Sequence, residues 1–97
     1  MLTLTRYKGQ LIRMTCAGVT ATLEVVTVRR DAIKLALRHS EYGDVQYMTC
    51  LPQEWWVFDL AGHDVKVALT KVVTCEQSES ARITIDAPRA VIIARQS

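Results

Sequence analysis

The chain has 97 residues, 12 basic and 10 acidic side chains and a formal charge of +2. That length suits one domain, and an aliphatic, β-branched composition with few glycines and prolines excludes a disordered chain. So small a charge excess excludes a protein held to nucleic acid by bulk charge alone; any such affinity must come from a local cluster and from base contacts.

No apolar run approaches the length of a membrane helix, and no charged-then-apolar leader precedes a small-residue cleavage site, so the expected location is cytoplasmic, with no membrane partner. Cys16, Cys50 and Cys75 are widely spaced and odd in number, and His39 and His63 stand apart. They read as small apolar fillers or inert thiols rather than metal ligands. No Gly-rich phosphate loop, nucleophile elbow or paired carboxylates occur. The expectation is a non-enzyme with no cofactor and no metal.

In chain order, residues 1–7 read as a strand with Leu2, Leu4 and Arg6 on one face and Thr3, Thr5 and Tyr7 on the other. Taken alone, Leu4 is core and Arg6 a solvated charge. Lys8-Gly9-Gln10 is a turn, and Leu11 to Met14 begins a second strand, interrupted over Thr15 to Gly18. Val19 to Val28 alternates over a long strand, with Val19, Ala21, Leu23 and Val25 inward. Arg29-Arg30-Asp31 turns the chain; the two arginines are solvated turn charges or phosphate contacts. Ile33 to Leu37 returns, a polar stretch from Arg38 to Asp44 follows, and Val45 to Met48 reads as a short strand.

Thr49 to Pro52 is a short join. Trp55-Trp56-Val57-Phe58 either stacks on bases or covers a sheet edge or barrel mouth. Leu60 to His63 turns, Val65 to Val73 is the second long strand, and Cys75 to Ser80 is a polar turn. Ala81, Ile83 and Ile85 then alternate with Arg82 and Thr84. Asp86-Ala87-Pro88 breaks the strand, because proline fixes φ and donates nothing to a ladder. In the last strand Val91, Ile93 and Arg95 share a face, which a guanidinium closes.

The chain repeats itself. Val19–Val26 lies over Val65–Val72 with matching apolar positions at an offset of 46. Ile33–Arg38 lies over Ala81–Asp86 at 48, which implies two more residues in the second turn. Residues 1–48 then form one unit and 49–97 a second. Leu51-Pro52-Gln53-Glu54 stands at the second unit's first strand, and Val45–Met48 is the counterpart of the last. Proline spoils the former, so no faithful first strand is expected there. The bland alternative is one unit with an unrelated insertion after Met14. Charge divides unevenly: residues 1–48 carry seven basic and four acidic side chains, residues 49–97 five and six.

Ala87-Pro88-Arg89 followed by an apolar strand ending in Arg95 resembles the C-terminal half of the carbon storage regulator (CsrA/RsmA) family. Met1-Leu2-Thr3-Leu4-Thr5-Arg6, the break at Lys8-Gly9 and Leu11-Ile12 resemble that family's start. Family members are small intertwined homodimers, so a tandem copy would supply both halves in one chain. The fold implied is all-β: a pseudo-two-fold β-sandwich or barrel of antiparallel-to-mixed sheets, with strands exchanged between two repeats in a single domain, 1–97, acting as a monomeric pseudodimer.

The function implied by the resemblance is post-transcriptional regulation through single-stranded GGA motifs in messenger RNA leaders or small RNAs. Each family site lies between the first strand of one subunit and the last strand of the other. Carried over, the RNA-binding positions are Leu4, Thr5 and Arg6 with Ala87, Pro88, Arg89, Val91, Ile93 and Arg95. Asp86 and Tyr7 depart from the family pattern, in which an asparagine and a basic residue are frequent. One retained site is expected, because Gln53 and Tyr47 replace both arginines at the other. The alternative is a protein-interaction module that has lost RNA binding and pairs with a CsrA-family protein or a protein antagonist.

Overall fold

A computed structural model describes residues 1–75 and 78–96. The described residues form nine strands and no helix: β1 (Leu2–Tyr7), β2 (Leu11–Cys16), β3 (Val19–Arg29), β4 (Ala32–His39), β5 (Gln46–Cys50), β6 (Trp55–Leu60), β7 (His63–Cys75), β8 (Ser78–Asp86) and β9 (Ile92–Gln96). They make a four-stranded sheet ordered β1-β8-β7-β6 and a five-stranded sheet ordered β5-β4-β3-β2-β9. The expected sheets were antiparallel to mixed. Every described ladder is antiparallel, and the parallel element is an isolated bridge from Pro52 to Leu69.

Alternation explains the strands. Ala21, Leu23 and Val25 of β3 are buried while Thr20, Thr22 and Glu24 between them are not, so one face meets the other sheet and one meets water. Val65, Val67 and Leu69 of β7 and Ala81, Ile83 and Ile85 of β8 do the same in the facing sheet, and together these rows form the core. The two long hairpins, β3–β4 and β7–β8, thus sit inside their sheets. Threonines rather than ions stitch the outer face of the four-stranded sheet. The Thr84 hydroxyl hydrogen-bonds to those of Thr3 at 3.0 Å and Thr70 at 2.6 Å.

The backbone repeats itself, in a register other than the one read from apolar matching. Ala17-Gly18 turns β2 into β3 and Ala61-Gly62 turns β6 into β7, 44 residues on, all four at positive φ. Positive φ at both positions is the two-residue turn whose twist suits a hairpin. Gly9 and Gln53 form the next match: both have positive φ, Gly9 N–H donates to Val25 C=O and Gln53 N–H to Leu69 C=O. The bulges after Val25 and Leu69 also correspond at 44. Beyond them Leu35 and Ile83, the partners of Val25 and Leu69, correspond at 48. The extra length lies in the longer β7 and β8 strands. Of the polar turn expected over Cys75 to Ser80, Cys75 belongs to β7 and Ser78 to Ser80 to β8, and Glu76 and Gln77 lie outside the described residues.

This register reassigns the middle of the chain. Apolar matching makes Val45–Met48 the counterpart of the last strand. The strand found there, Gln46–Cys50, pairs with β4, Met48 opposite Leu35, as β1 pairs with β8, Leu4 opposite Ile83. It therefore corresponds to β1 at the same offset of 44, and Leu51–Glu54 is the turn after it, closed by Glu54 N–H on Leu51 C=O at 3.3 Å. Gln10 N–H on Tyr7 C=O at 3.0 Å closes the corresponding first turn. Pro52 ends up in a turn, where its missing donor costs nothing. Trp55–Phe58, expected to stack on bases or to cover a sheet edge or barrel mouth, is the start of the edge strand β6: Trp56 and Phe58 face the core with centroids 5.3 Å apart, and Trp55 and Val57 face out.

Candidate nucleic-acid interface

The two ends of the chain meet at one seam of the sandwich. β1 is the outermost strand of one sheet and β9 of the other. Both run away from the Asp86–Val91 connection. Leu2, at the start of β1, is opposite Ile85, and Ile92, at the start of β9, is opposite Thr15. Both finish beside the Tyr7–Leu11 turn, where Gln96 lies opposite Leu11. No described ladder joins them, so each keeps one strand edge whose backbone N–H and C=O groups are directed away from its own sheet.

Arg6 and Arg95 both lie beside the Tyr7–Leu11 turn at the far end of this seam. Arg6 shares the inward face with Leu4 and is half-buried. Its Nε donates to the Thr5 carbonyl at 2.9 Å and Nη1 to the Leu11 carbonyl at 3.3 Å. Arg95 lies opposite Ile12, the residue after Leu11, and is exposed. Two carbonyl contacts hold the Arg6 fork at the turn that the end of β9 abuts.

The other expected positions divide. Thr5, Pro88 and Arg89 are exposed, with Arg89 in the β8–β9 connection at the opposite end of the seam. Four residues of strand separate the ends, roughly 13 Å. Leu4 and Val91 are 2% and 7% exposed, so they are core and present no side chain to a ligand. Ala87 and Ile93 are half-buried and packed on the core. The Val91 N–H donates to the Pro88 carbonyl at 3.0 Å, so the Ala-Pro-Arg segment is a closed turn presenting Arg89.

The fold adds two cations that local reading leaves out. Arg82 is opposite Thr5, and Arg13 opposite Ala94, each exposed on the outer face next to a seam strand. Their alternation marks them as outward, but only the β1–β8 and β2–β9 registers put them beside the seam. With Lys8 in the turn, six basic side chains flank β1 and β9, against Asp86 on the same stretch. The opposite seam, between β5 and β6, carries Glu54 and Asp59, and Asp59 faces Asp64 across the ladder. Lys66, opposite Val57, and Lys34, opposite Thr49, flank this second seam as well, so it is mixed in charge whereas the β1/β9 seam is basic.

A hollow of about 360 Å³ lies elsewhere, at the β3–β4 turn, lined by Thr27, Arg29, Asp31, Ile33, Lys34 and Thr49 among others. Arg29 and Lys34 outnumber Asp31 in its wall. His39 is structural: it is buried, its Nδ1 accepts from the Glu41 N–H at 3.1 Å, and its ring lies 4.4 Å from that of Tyr42. Its Nε2 has no partner among the described residues.

Cys16 and Cys50 are buried free thiols. Burial foremost, and then the Glu54 charge, push the Cys50 thiol from 9.0 up to about 11. It stays protonated at neutral pH, and a thiol is a poor nucleophile. Native protein should therefore react with iodoacetamide at Cys50 far more slowly than denatured protein, by peptide mass mapping. The folded state holds this proton more tightly than the unfolded state, so its contribution is full below pH 9 and fades as pH rises towards 11.

Comparison with family models, with curated proteins and with solved structures returned no match.

Proposed function

We propose that the chain is a CsrA-like, single-chain RNA-binding regulator whose one site is the β1/β9 seam. The observation that carries the reading is the convergence of the chain's two ends. The N-terminal and C-terminal segments that resemble the family become neighbouring strand edges with Arg6 and Arg95 at one end and Arg89 at the other. Splayed bases of an RNA loop can hydrogen-bond to free strand edges and rest on apolar surface, while guanidinium forks take phosphate or guanine edges. The buried Leu4 and Val91 shape the seam's floor, and Thr5, Pro88, Arg89, Ile93 and Arg95 offer the surface.

On this reading the two sheets are built by two copies of one unit about a pseudo-two-fold axis, with β1, β5 and β9 exchanged into the other copy's sheet. The opposite seam has β5 and β6 in the places of β1 and β2, but no counterpart of β9 among the described residues. The chain passes from β4 to β5 through residues 40–45 and skips that strand. With one groove-forming strand missing, and with it any counterpart of Arg95, and with Cys50 rather than an arginine at the position of Arg6, the second seam is no RNA site.

A hairpin with GGA in its loop, titrated calorimetrically, should saturate at one RNA per chain, and a loop with the motif scrambled should bind weakly. Two RNAs per chain would overturn the one-site reading. No saturable binding would favour the protein-interaction alternative, in which the same seam takes a CsrA-family chain or a protein antagonist.

A further inference from the structure

We propose that the open edge of β6 is a two-fold interface with a second copy of this chain, in which two β6 strands pair antiparallel about Val57. The inference does not rest on RNA binding, and it replaces the expectation of a monomer.

The hairpin fixes which backbone groups are free. The two-residue turn at Ala61-Gly62 makes Leu60 and His63 a hydrogen-bonded pair, and such pairs alternate along an antiparallel ladder. Trp56 and Phe58 therefore spend their N–H and C=O groups on β7. Trp55, Val57 and Asp59 direct theirs outward, where the four-stranded sheet ends. The corresponding edge of the other sheet, on β2, is covered by β9. The chain closes one of two matching edges and leaves the other bare.

This bare edge lacks the usual protection. β6 contains no proline, lysine or arginine and no bulge, and its charge, Asp59, is held by the Gly62 N–H at 3.3 Å. Its outward side chains are apolar: Trp55 is 49% and Val57 47% exposed. Leu51, in the turn that leads into β6, is also exposed.

The occupant follows from self-complementarity. With Val57 opposite its own symmetry mate, Trp55 faces Asp59 of the second copy, so all three outward-directed residues of each strand find hydrogen-bonding partners. Val57 meets Val57, and Trp55 lies diagonally across from Val57, within reach of an aromatic ring. A two-fold closes on itself and buries both bare edges in one continuous sheet, whereas β9 laid on β6 would propagate into a filament and cover the basic seam. Glu54, Asp59 and Asp64 outnumber Lys66, which lies opposite Val57, and disfavour a nucleic acid here. A charge of +2 per chain opposes pairing only weakly.

Sedimentation equilibrium from micromolar to sub-millimolar protein tests the interface. Wild type should form a dimer, and V57K, which sets two ammonium groups against each other at a position already half-exposed, should be monomeric at every concentration. V73K places the same charge on an exposed valine of β7 away from the β6 edge and should dimerise like wild type. A wild type that stays monomeric throughout, or a V57K protein that still dimerises, would overturn the proposal.

Discussion

Arg95→Ala should weaken binding of a GGA-loop hairpin by roughly 1–3 kcal/mol, about 5- to 150-fold, with little change in stability. Arg95 is exposed and ends a strand, so removing its guanidinium takes nothing from the core. Arg6→Ala should cost the same in binding but also some stability, because its fork donates to two backbone carbonyls, each bond worth about 0.5–1.5 kcal/mol. The pair converges on the same turn, so the double variant should fall short of the sum of the singles, as neighbours in one network do. Salt dependence separates the roles. Removing an arginine that neutralises a phosphate lowers the slope of log K against log salt by about 1, whereas removing one that reads a guanine edge leaves the slope unchanged. Tyr47→Ala and Gln53→Ala, on the opposite seam, should leave affinity unchanged. Full RNA binding by the Arg6/Arg95 double variant, measured by fluorescence anisotropy, would remove the seam as the site.

Sequence pattern is clearest where one face of a strand is buried and the other is wet. Val19 to Val25 and Ala81 to Ile85 alternate because their sheets bury one side, and that pattern locates both long hairpins. Partner choice is legible only in part. Gln46–Cys50 is short and shows no alternation that names its neighbour, so its pairing with β4 rather than across the seam emerges only from the register. Pro52 suggests a broken strand because proline is excluded from ladders, but it is equally at home in the turn that follows one. The Ala-Gly turns are obscure because alanine rarely adopts positive φ, so nothing in Ala17 or Ala61 announces a two-residue hairpin. The breaks over Thr15–Gly18 and Leu60–His63 are legible and found, but without their two-residue geometry the repeat slips by two residues, a step that preserves inward and outward faces and so leaves the apolar pattern intact.

The candidate site is legible in its charges and not in its floor. Arg6, Arg89 and Arg95 stand out in the motifs at the two ends of the chain. Leu4 and Val91 cannot be told from surface residues of the groove, because an apolar side chain near a groove and one beneath it look alike in one dimension. Burial settles the matter: both belong to the core. Arg13 and Arg82 are invisible as site residues for the complementary reason. Their place beside the seam is set by cross-strand partners far away in the chain, Ala94 for Arg13 and Thr5 for Arg82.

Ile83→Ala should be among the most damaging single substitutions, lowering stability by roughly 2–5 kcal/mol. Ile83 is fully buried and lies between Leu4 of β1 and Leu69 of β7, at the middle of the four-stranded sheet. Truncation leaves a cavity among side chains fixed by ladders on both sides, so the surroundings can collapse only partly. A domain of this size has about 5–15 kcal/mol of stability to lose, so the variant approaches the limit of folding at body temperature. Leu35 occupies the corresponding place in the five-stranded sheet, fully buried between Val25 and Met48. Leu35→Ala should therefore cost a similar amount. Ile92→Ala, by contrast, removes a side chain that is 68% exposed. It should change stability by less than about 0.5 kcal/mol. Urea unfolding should show lower midpoints at an unchanged slope for the two core variants. An Ile83→Ala protein as stable as wild type would mean that the two sheets do not close on each other at β8. A large gap between Ile83→Ala and Leu35→Ala would instead break the equivalence of the two halves, and with it the argument that one seam is a copy of the other lacking its last strand.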